Sequence, residues 1–316
     1  MVILLYHGVS KNIINNQVRN SKYLHIDLDN FKQHIQYLKK KYHIIPLQDI
    51  CDIIQSGEKI PAYTAVITFD DGYRNVFDNA FPVLRDYAVA VSMFLTDKLI
   101  LKDNWLWLDK VRYMIDVTSV ESVDIFEQIH SLKNGHLKIR FLDFIGNKLK
   151  EVRAEARNKI MEELRFKLKV DIPEHPCEEY RLMSFEQARQ MQYSKLISFG
   201  SHTPEHTILT LEDPEQASRL ILESKREVSE QLQREVDLFS YPNGSYNNRI
   251  KEMLKGSGFR CGLTTNTGLN NLNTDLFELK RVSVGAGDSL IPFIAHLSGI
   301  REYSSLFLQF LRKIVK

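Results

Sequence analysis

The stretch AVITFDDGYRNVFDNAFPVL, residues 65–84, decides how the rest of the chain is read. It opens as an apolar, β-branched run, Ala65–Phe69, and stops at two adjacent carboxylates and a glycine: Asp70, Asp71 and Gly72. An Asp-Gly pair suits a two-residue hairpin turn, but a hairpin needs a second strand. The residues after Gly72 instead carry a helical pattern, with Pro82 expected to kink it. The stretch is therefore a strand-to-helix junction, the end of the sheet at which α/β folds hold their ligands. Two like charges side by side repel. A divalent cation relieves that repulsion if one carboxylate binds it and the other stays ionised as a base.

Similar short apolar runs recur at 2–7, 89–95, 196–200, 237–241, 259–265 and 279–284, with helical patterns between them, such as 28–42 with Leu28, Phe31, Ile35 and Leu38. Continuous runs of this kind argue for parallel strands covered on both faces, so the class is α/β. Residues 103–182 show amphipathic helical stretches and no convincing strand, which predicts a helical insertion between two strands of the sheet.

The 316 residues are 43% hydrophobic and 26% charged, as in a globular protein with a sizeable core. A net charge of +2, with basic and acidic residues interleaved, singles out no nucleic-acid partner. Cys51, Cys177 and Cys261 are too far apart for a CxxC metal site and odd in number for a disulfide framework. The start, MVILLYHGVS, lacks the features of a signal peptide, and no apolar run reaches the ~18 residues of a membrane helix. The expectation from these features is a cytoplasmic protein with no transmembrane segment.

A second chemical signal is SHTPEH, residues 201–206. His202 and His206 are four apart, a spacing that on a helical turn puts both imidazoles on one face, with Pro204 in its first turn and Ser201 or Thr203 near the cap. The apolar run before them places the pair just beyond a second strand end. An Asp/His/His set with an open position suits Zn²⁺ or another borderline divalent ion.

TFDDG (68–72) followed by SHTPEH (201–206) resembles the first two motifs of the polysaccharide deacetylases, the NodB-homology or carbohydrate esterase family 4 group. The resemblance runs from LLYHGVS to the strand at 279–284. It implies a distorted (β/α)7-type barrel, with residues 1–316 as a single catalytic domain carrying the insertion at about 103–182. It also implies metal-dependent removal of N-acetyl groups from an amino-sugar-containing glycan or glycan precursor, of the kind found on bacterial surfaces. On this likeness Asp70 is the general base and Asp71, His202 and His206 hold the metal, most simply Zn²⁺, with Co²⁺, Ni²⁺, Fe²⁺ and Mn²⁺ as alternatives.

The family's third motif corresponds to SYPNG (240–244), where Ser240 replaces an arginine and Asn243 a tyrosine. FSYPNG and YHGV (6–9) are similar to the poly-N-acetylglucosamine deacetylase-like branch. Arg281 is expected to replace the missing arginine in orienting the base. Tyr241, Pro242 and Asn243 are expected to line the substrate site. His7, at the end of the first strand, is a candidate for an active-site role, set against a buried, hydrogen-bonded histidine. The late motif that supplies the general acid is not recognisable; His296 is the late histidine, and the acid stays unassigned. Trp105 and Trp107 are expected to pack against the host domain in preference to stacking on a sugar. The C-terminal SSLFLQFLRKIVK is expected to be a helix closing the barrel, with peripheral membrane contact as the alternative. Two rival functions stay open: the same metal chemistry on an O-acetyl ester or another amide, and a carbohydrate-binding barrel without turnover.

Overall fold

The structure, a computed structural model, describes residues 1–11, 18–21 and 24–297. The strands, in chain order, are β1 (Val2–Tyr6), β2 (Gly8–Ser10), β3 (His25–Asp27), β4 (His43–Ile44), β5 (Thr64–Phe69), β6 (Val91–Leu95), β7 (Ser122–Ile125), β8 (Gln128–Ser131), β9 (Ile197–Ser201), β10 (Leu238–Ser240), β11 (Cys261–Leu263) and β12 (Val282–Ser283). The α-helices are α1 (Leu28–Lys41), α2 (Leu47–Ser56), α3 (Phe81–Asp86), α4 (Asp97–Leu101), α5 (Trp107–Val117), α6 (Gly135–Lys150), α7 (Ala154–Leu168), α8 (Phe185–Tyr193), α9 (Pro214–Leu232), α10 (Asn248–Gly256) and α11 (Leu290–Leu297).

The main sheet runs β11-β10-β9-β6-β5-β1-β12, all pairs parallel, with β4 added beside the start of β5. It curls until its two ends meet: Leu263 bridges Leu279 in parallel, and Thr264 N–H donates to the Leu279 carbonyl at 2.9 Å. This is the distorted, NodB-type barrel expected from the sequence.

Every residue of β1, β5 and β6 is buried. Alternate residues face two cores. Leu4, Tyr6, Ile67 and Phe69 pack with Phe31, Ile35 and Leu38 of α1, while Ile3, Val66 and Phe94 pack with Leu47, Ile50 and Cys51 of α2. Each such side chain contributes roughly 1.5–3 kcal/mol of transfer free energy. Coverage on both faces is why these strands read as unbroken apolar runs. Asp27 caps α1 by accepting from Asp29 and Asn30 N–H.

The helical segment after β5 changes its hydrogen-bond register just before Pro82. Residues Val76–Ala80 form a π-helical turn closed by Phe81 N–H donating to the Val76 carbonyl, and α3 starts again at Phe81. Pro82 has no N–H for the carbonyl that an α-helix would offer it, so the register slips by one before it.

Between β6 and β9 lies the inserted segment, with an apolar cluster that includes Val111, Met114, Phe141, Ile145, Leu164 and Leu168. It is not all helical. Residues 122–131, expected to be helix, form the antiparallel hairpin β7–β8, with Phe126 and Glu127 at φ 53° and 58°. A primed two-residue turn demands positive φ at both central positions and is usually signalled by Asn-Gly. Here the signal is missing, so only the alternation of buried Val123 and Ile125 with exposed Ser122 and Asp124 marks the strand. Among the described residues no helix is long and apolar enough to cross a membrane. The C-terminal SSLFLQFLRKIVK lies outside the described residues.

Candidate active site

Asp70 leaves β5 with its N–H still bonded to the Tyr6 carbonyl at 3.0 Å. Asp71 and Gly72 then take φ of 73° and 86°, which turns the chain sharply away from the sheet. Asp tolerates the left-handed region better than most residues. Gly72 is required: a Cβ there would sit 3.0 Å from Leu95 Cδ2 in a strained backbone.

The two histidines leave β9. His202 N–H bonds the Leu95 carbonyl at 2.9 Å, and His202 Nδ1 donates to the Ser240 carbonyl at 2.8 Å. A carbonyl only accepts, so the proton sits on Nδ1 and Nε2 presents a lone pair. His202 Nε2 lies 3.5 Å from Asp71 Oδ1, and His206 Nε2 lies 3.6 Å from the same oxygen.

The expected helical turn is absent. Thr203 and His206 are themselves left-handed, at φ 63° and 55°, and Thr207 N–H donates to Thr203 Oγ1 at 2.8 Å. A tight polar loop, not a helix face, brings the imidazoles together.

Asp71, His202 and His206 offer one ligand atom each, all within 4.8 Å of one another. Bonds of ~2.0–2.1 Å in a four-coordinate site would hold neighbouring ligand atoms roughly 3.3 Å apart, close to the 3.5 and 3.6 Å from Asp71 Oδ1 to the two nitrogens. Asp71 Oδ1 is buried and has no hydrogen-bond partner, an orphan that a cation would satisfy. The electrostatics agree. Burial pushes the Asp71 carboxyl up, but His202 and His206 hold it well below the usual carboxylate range. Burial drives His206 down to about 3, keeping it neutral as a ligand must be. Burial also opposes a charge on His202, yet Asp70 and Asp71 raise it, so the field at its Nε2 favours positive charge.

Asp70 stands beside this group, with Oδ2 3.9 Å from His202 Nε2. Arg281, fully buried, grips it with both amino groups: Nη1 to Oδ1 at 2.8 Å and Nη2 to Oδ2 at 2.7 Å. Ser240 Oγ donates to Oδ2 at 3.0 Å and accepts from Arg281 Nη2 at 2.9 Å. Burial raises the Asp70 carboxyl, but the Arg281 charge and hydrogen bonds together with the nearby His202 and His7 outweigh it and the net direction is down.

A cavity of about 330 Å³ opens over these groups, lined in part by His7, Trp107, Asn243 and Thr265. His7 is half-buried, and burial lowers its imidazole despite the nearby Asp71 and Asp70 charges. Tyr241 does not line the cavity as expected. Its ring is fully buried against Phe239 and Tyr246 and its hydroxyl donates to the Phe277 carbonyl at 3.0 Å. Pro242 is also buried away from it, so of the loop 241–243 only Asn243 reaches the space, at φ 58°. Tyr241 comes from the residue after β10, whose side chain alternates to the outer face. His296 sits on α11 with Nδ1 3.5 Å from Asp288 and does not reach the cavity.

Trp105 is buried and donates from Nε1 to the Pro173 carbonyl at 3.0 Å. Trp107 is nearly buried under the Arg157 guanidinium, but one side lines the cavity, 6.5 Å from the His206 ring. Sequence reasoning missed the buried cluster beside it. Asp109 accepts from Tyr73 Oη at 2.7 Å and from Arg112 Nη1 at 2.5 Å, and all three residues line the cavity. Burial raises Asp109 to about 6. The available signal was an Asp/Arg pair three apart among apolar residues of WLDKVRYMI.

The same geometry can be set beside known proteins. The family model described as polysaccharide deacetylase matches residues 57–130 and 158–262, more than half of the chain. The chain belongs to the polysaccharide deacetylase family. The deacetylase is 22% identical over 300 residues to YxkH of Bacillus subtilis, itself named for a polysaccharide deacetylase, covering 95% of this chain and 76% of that one. It is 32% identical over 119 residues to the poly-β-1,6-N-acetyl-D-glucosamine N-deacetylase of Staphylococcus epidermidis, covering 36% of this chain and 40% of that one. In fold it is similar to the Streptococcus pyogenes deacetylase PplD, solved with acetate, with TM-score 0.64 at 16% identity over 94% and 97% of the two chains. It is also similar to IcaB from Ammonifex degensii, with TM-score 0.62 at 18% identity over 94% and 96%.

Proposed function

We propose that this deacetylase is a metal-dependent N-deacetylase that releases acetate from an N-acetylated amino-sugar glycan or its precursor. The carrying observation is the convergence of Asp71, His202 and His206 with an arginine-clamped Asp70 beside them. The name of the Staphylococcus epidermidis relative supports the amide and the sugar.

In this reading Asp71 Oδ1, His202 Nε2 and His206 Nε2 hold a divalent ion, most simply Zn²⁺. Such an ion supplies Lewis acidity toward an acetamide carbonyl and acidifies water at neutral pH. Asp70, kept ionised and aimed by Arg281 and Ser240, takes the proton of the attacking water. Ser240 also fixes the His202 tautomer through its carbonyl, so one residue serves both base and ligand. His7 lies on the cavity wall where a proton can be passed to the departing amine, and Asn243 and Trp107 bound the space for the sugar.

The test is acetate release from an N-acetylglucosamine oligomer and from an O-acetylated sugar, each with and without a chelator. Chelator-sensitive release from the N-acetylated compound is expected. Release from the ester alone would move the chemistry to de-O-acetylation. No release from either by metal-loaded, folded protein would leave a carbohydrate-binding barrel.

A further inference from the structure

The three ligand residues sit on two loops more than a hundred residues apart, each containing left-handed backbone that needs outside support. We propose that Thr96–Leu99, the turn from β6 into α4, is the positioning element of the metal site, with Thr96 and Asp97 as its positioning side chains. The proposal rests on the metal-site reading above.

Four successive residues each reach a ligand-bearing loop. Thr96 Oγ1 donates to the Asp71 carbonyl at 2.9 Å, which fixes the left-handed turn that aims the first ligand. Lys98 and Leu99 N–H both donate to the Pro204 carbonyl, at 3.0 and 3.4 Å, in the loop between His202 and His206. Asp97 acts on the same loop through a chain of hydroxyls. Ser224 Oγ donates to Asp97 Oδ2 at 2.5 Å, so its proton is committed. Ser201 must then be the donor in its 2.6 Å contact with Ser224. That leaves Ser201 Oγ to accept from Thr203 N–H at 3.4 Å, directly after His202.

The polarity of this chain runs one way, from the left-handed Thr203 to a carboxylate. Asp97, Ser201, Thr203 and Ser224 are all buried. Asp97 has no ion pair among the described residues, and its Oδ1 has no hydrogen-bond partner. Burying a carboxylate in this state is costly, and packing alone gives no reason for it. As the terminal acceptor of the chain it has one. Groups of this kind behind metal ligands typically change metal affinity by about 10–100-fold when removed.

The test measures the dissociation constant of the full chain for Zn²⁺ and Co²⁺ by competition with a chromophoric chelator, which needs no turnover. The variants are Thr96→Val, Ser224→Ala and Asp97→Asn. Thr118→Val is the control, because it removes a buried hydroxyl that donates to the Leu168 carbonyl at 2.7 Å, and neither residue lines the cavity. Thr96→Val and Ser224→Ala are expected to weaken metal binding by about 10-fold or more, with Thr118→Val unchanged. Wild-type affinity in folded Thr96→Val and Ser224→Ala would overturn the proposal and leave the metal site standing, as would equal weakening in the control. Should Ser224→Ala fail to fold, Asp97→Asn decides: it keeps the shape and is expected to weaken binding, and wild-type affinity there counts against the chain. A wild-type protein that binds neither ion would remove the metal-site reading and this inference together.

Discussion

Arg281→Met separates the clamp on Asp70 from everything else in the site. The guanidinium makes two bonds to the carboxylate and others to Ser240 Oγ, the Thr264 carbonyl at 2.8 Å and Thr68 Oγ1 at 3.3 Å, all in a fully buried place. Removing one partner of such a pair leaves a bare buried charge and costs about 3–5 kcal/mol. That is a large part of the ~5–15 kcal/mol that holds a domain of ordinary stability. The pH dependence gives the sharper test. In the wild type, Asp70 lies below its ordinary 3.8, so its contribution is present above the unfolded value and is lost as pH falls through the folded one. In the variant, burial, the largest influence on Asp70, loses its main opponent, so the folded value moves up. The folded state then binds the proton more tightly than the unfolded chain, and the penalty shrinks as pH falls from about 7 toward about 5. Urea denaturation of chelator-treated protein at those two pH values reads this directly. A loss under ~1 kcal/mol, or one that does not vary with pH, would refute the clamp as the feature that keeps Asp70 ionised.

Other outcomes rest on the same geometry. Asp70→Asn is expected to keep its metal, by elemental analysis, while kcat falls by about 10²–10⁴-fold, the usual share of a positioned base. His206→Ala is expected to lose both metal and acetate release, and chelation of the wild type should do the same reversibly, with activity returning on addition of Zn²⁺ or Co²⁺. Replacing Phe126-Glu127 by Asn-Gly at the hairpin turn, where both φ values are positive, should raise stability by about 0.5–1 kcal/mol, seen as a higher Tm with unchanged activity.

The barrel was legible because its strands are buried on both faces, so β1, β5 and β6 appear as unbroken apolar runs. The group of Asp71, His202 and His206 was legible because it follows the ends of β5 and β9, where position along the chain also fixes position in space. What failed had a local cause each time. The spacing of His202 and His206 matched a helix, but two left-handed residues produce the same proximity without one. The β7–β8 hairpin hides because Phe126 and Glu127 are forced into a turn that their side chains do not favour. Tyr241 neighbours site residues in sequence, but strand alternation sends its ring to the core. Asp109 and Arg112 carry only the weak signal of a charge pair three apart, and Thr96–Leu99 carry none, since they become neighbours of the site only when the chain closes over it.

Ser240 and Arg281 act on Asp70 as one unit. Their polar atoms are 2.9 Å apart, both residues are fully buried, and both contact the same carboxylate oxygen. An arginine at 240 would set a second guanidinium against the first, two like charges without solvent and only one carboxylate between them. A small hydroxyl at 240 is therefore what an arginine arriving from the edge of β12 requires, and the closed barrel makes that arrival possible by pairing β12 with β1. The cation beside Asp70 comes from position 281, and the serine at 240 leaves room for it. A barrel kept only to bind sugar would have no use for a carboxylate clamped at both oxygens beside three side chains that could hold a metal, because such a group is expensive to bury and contributes nothing to packing.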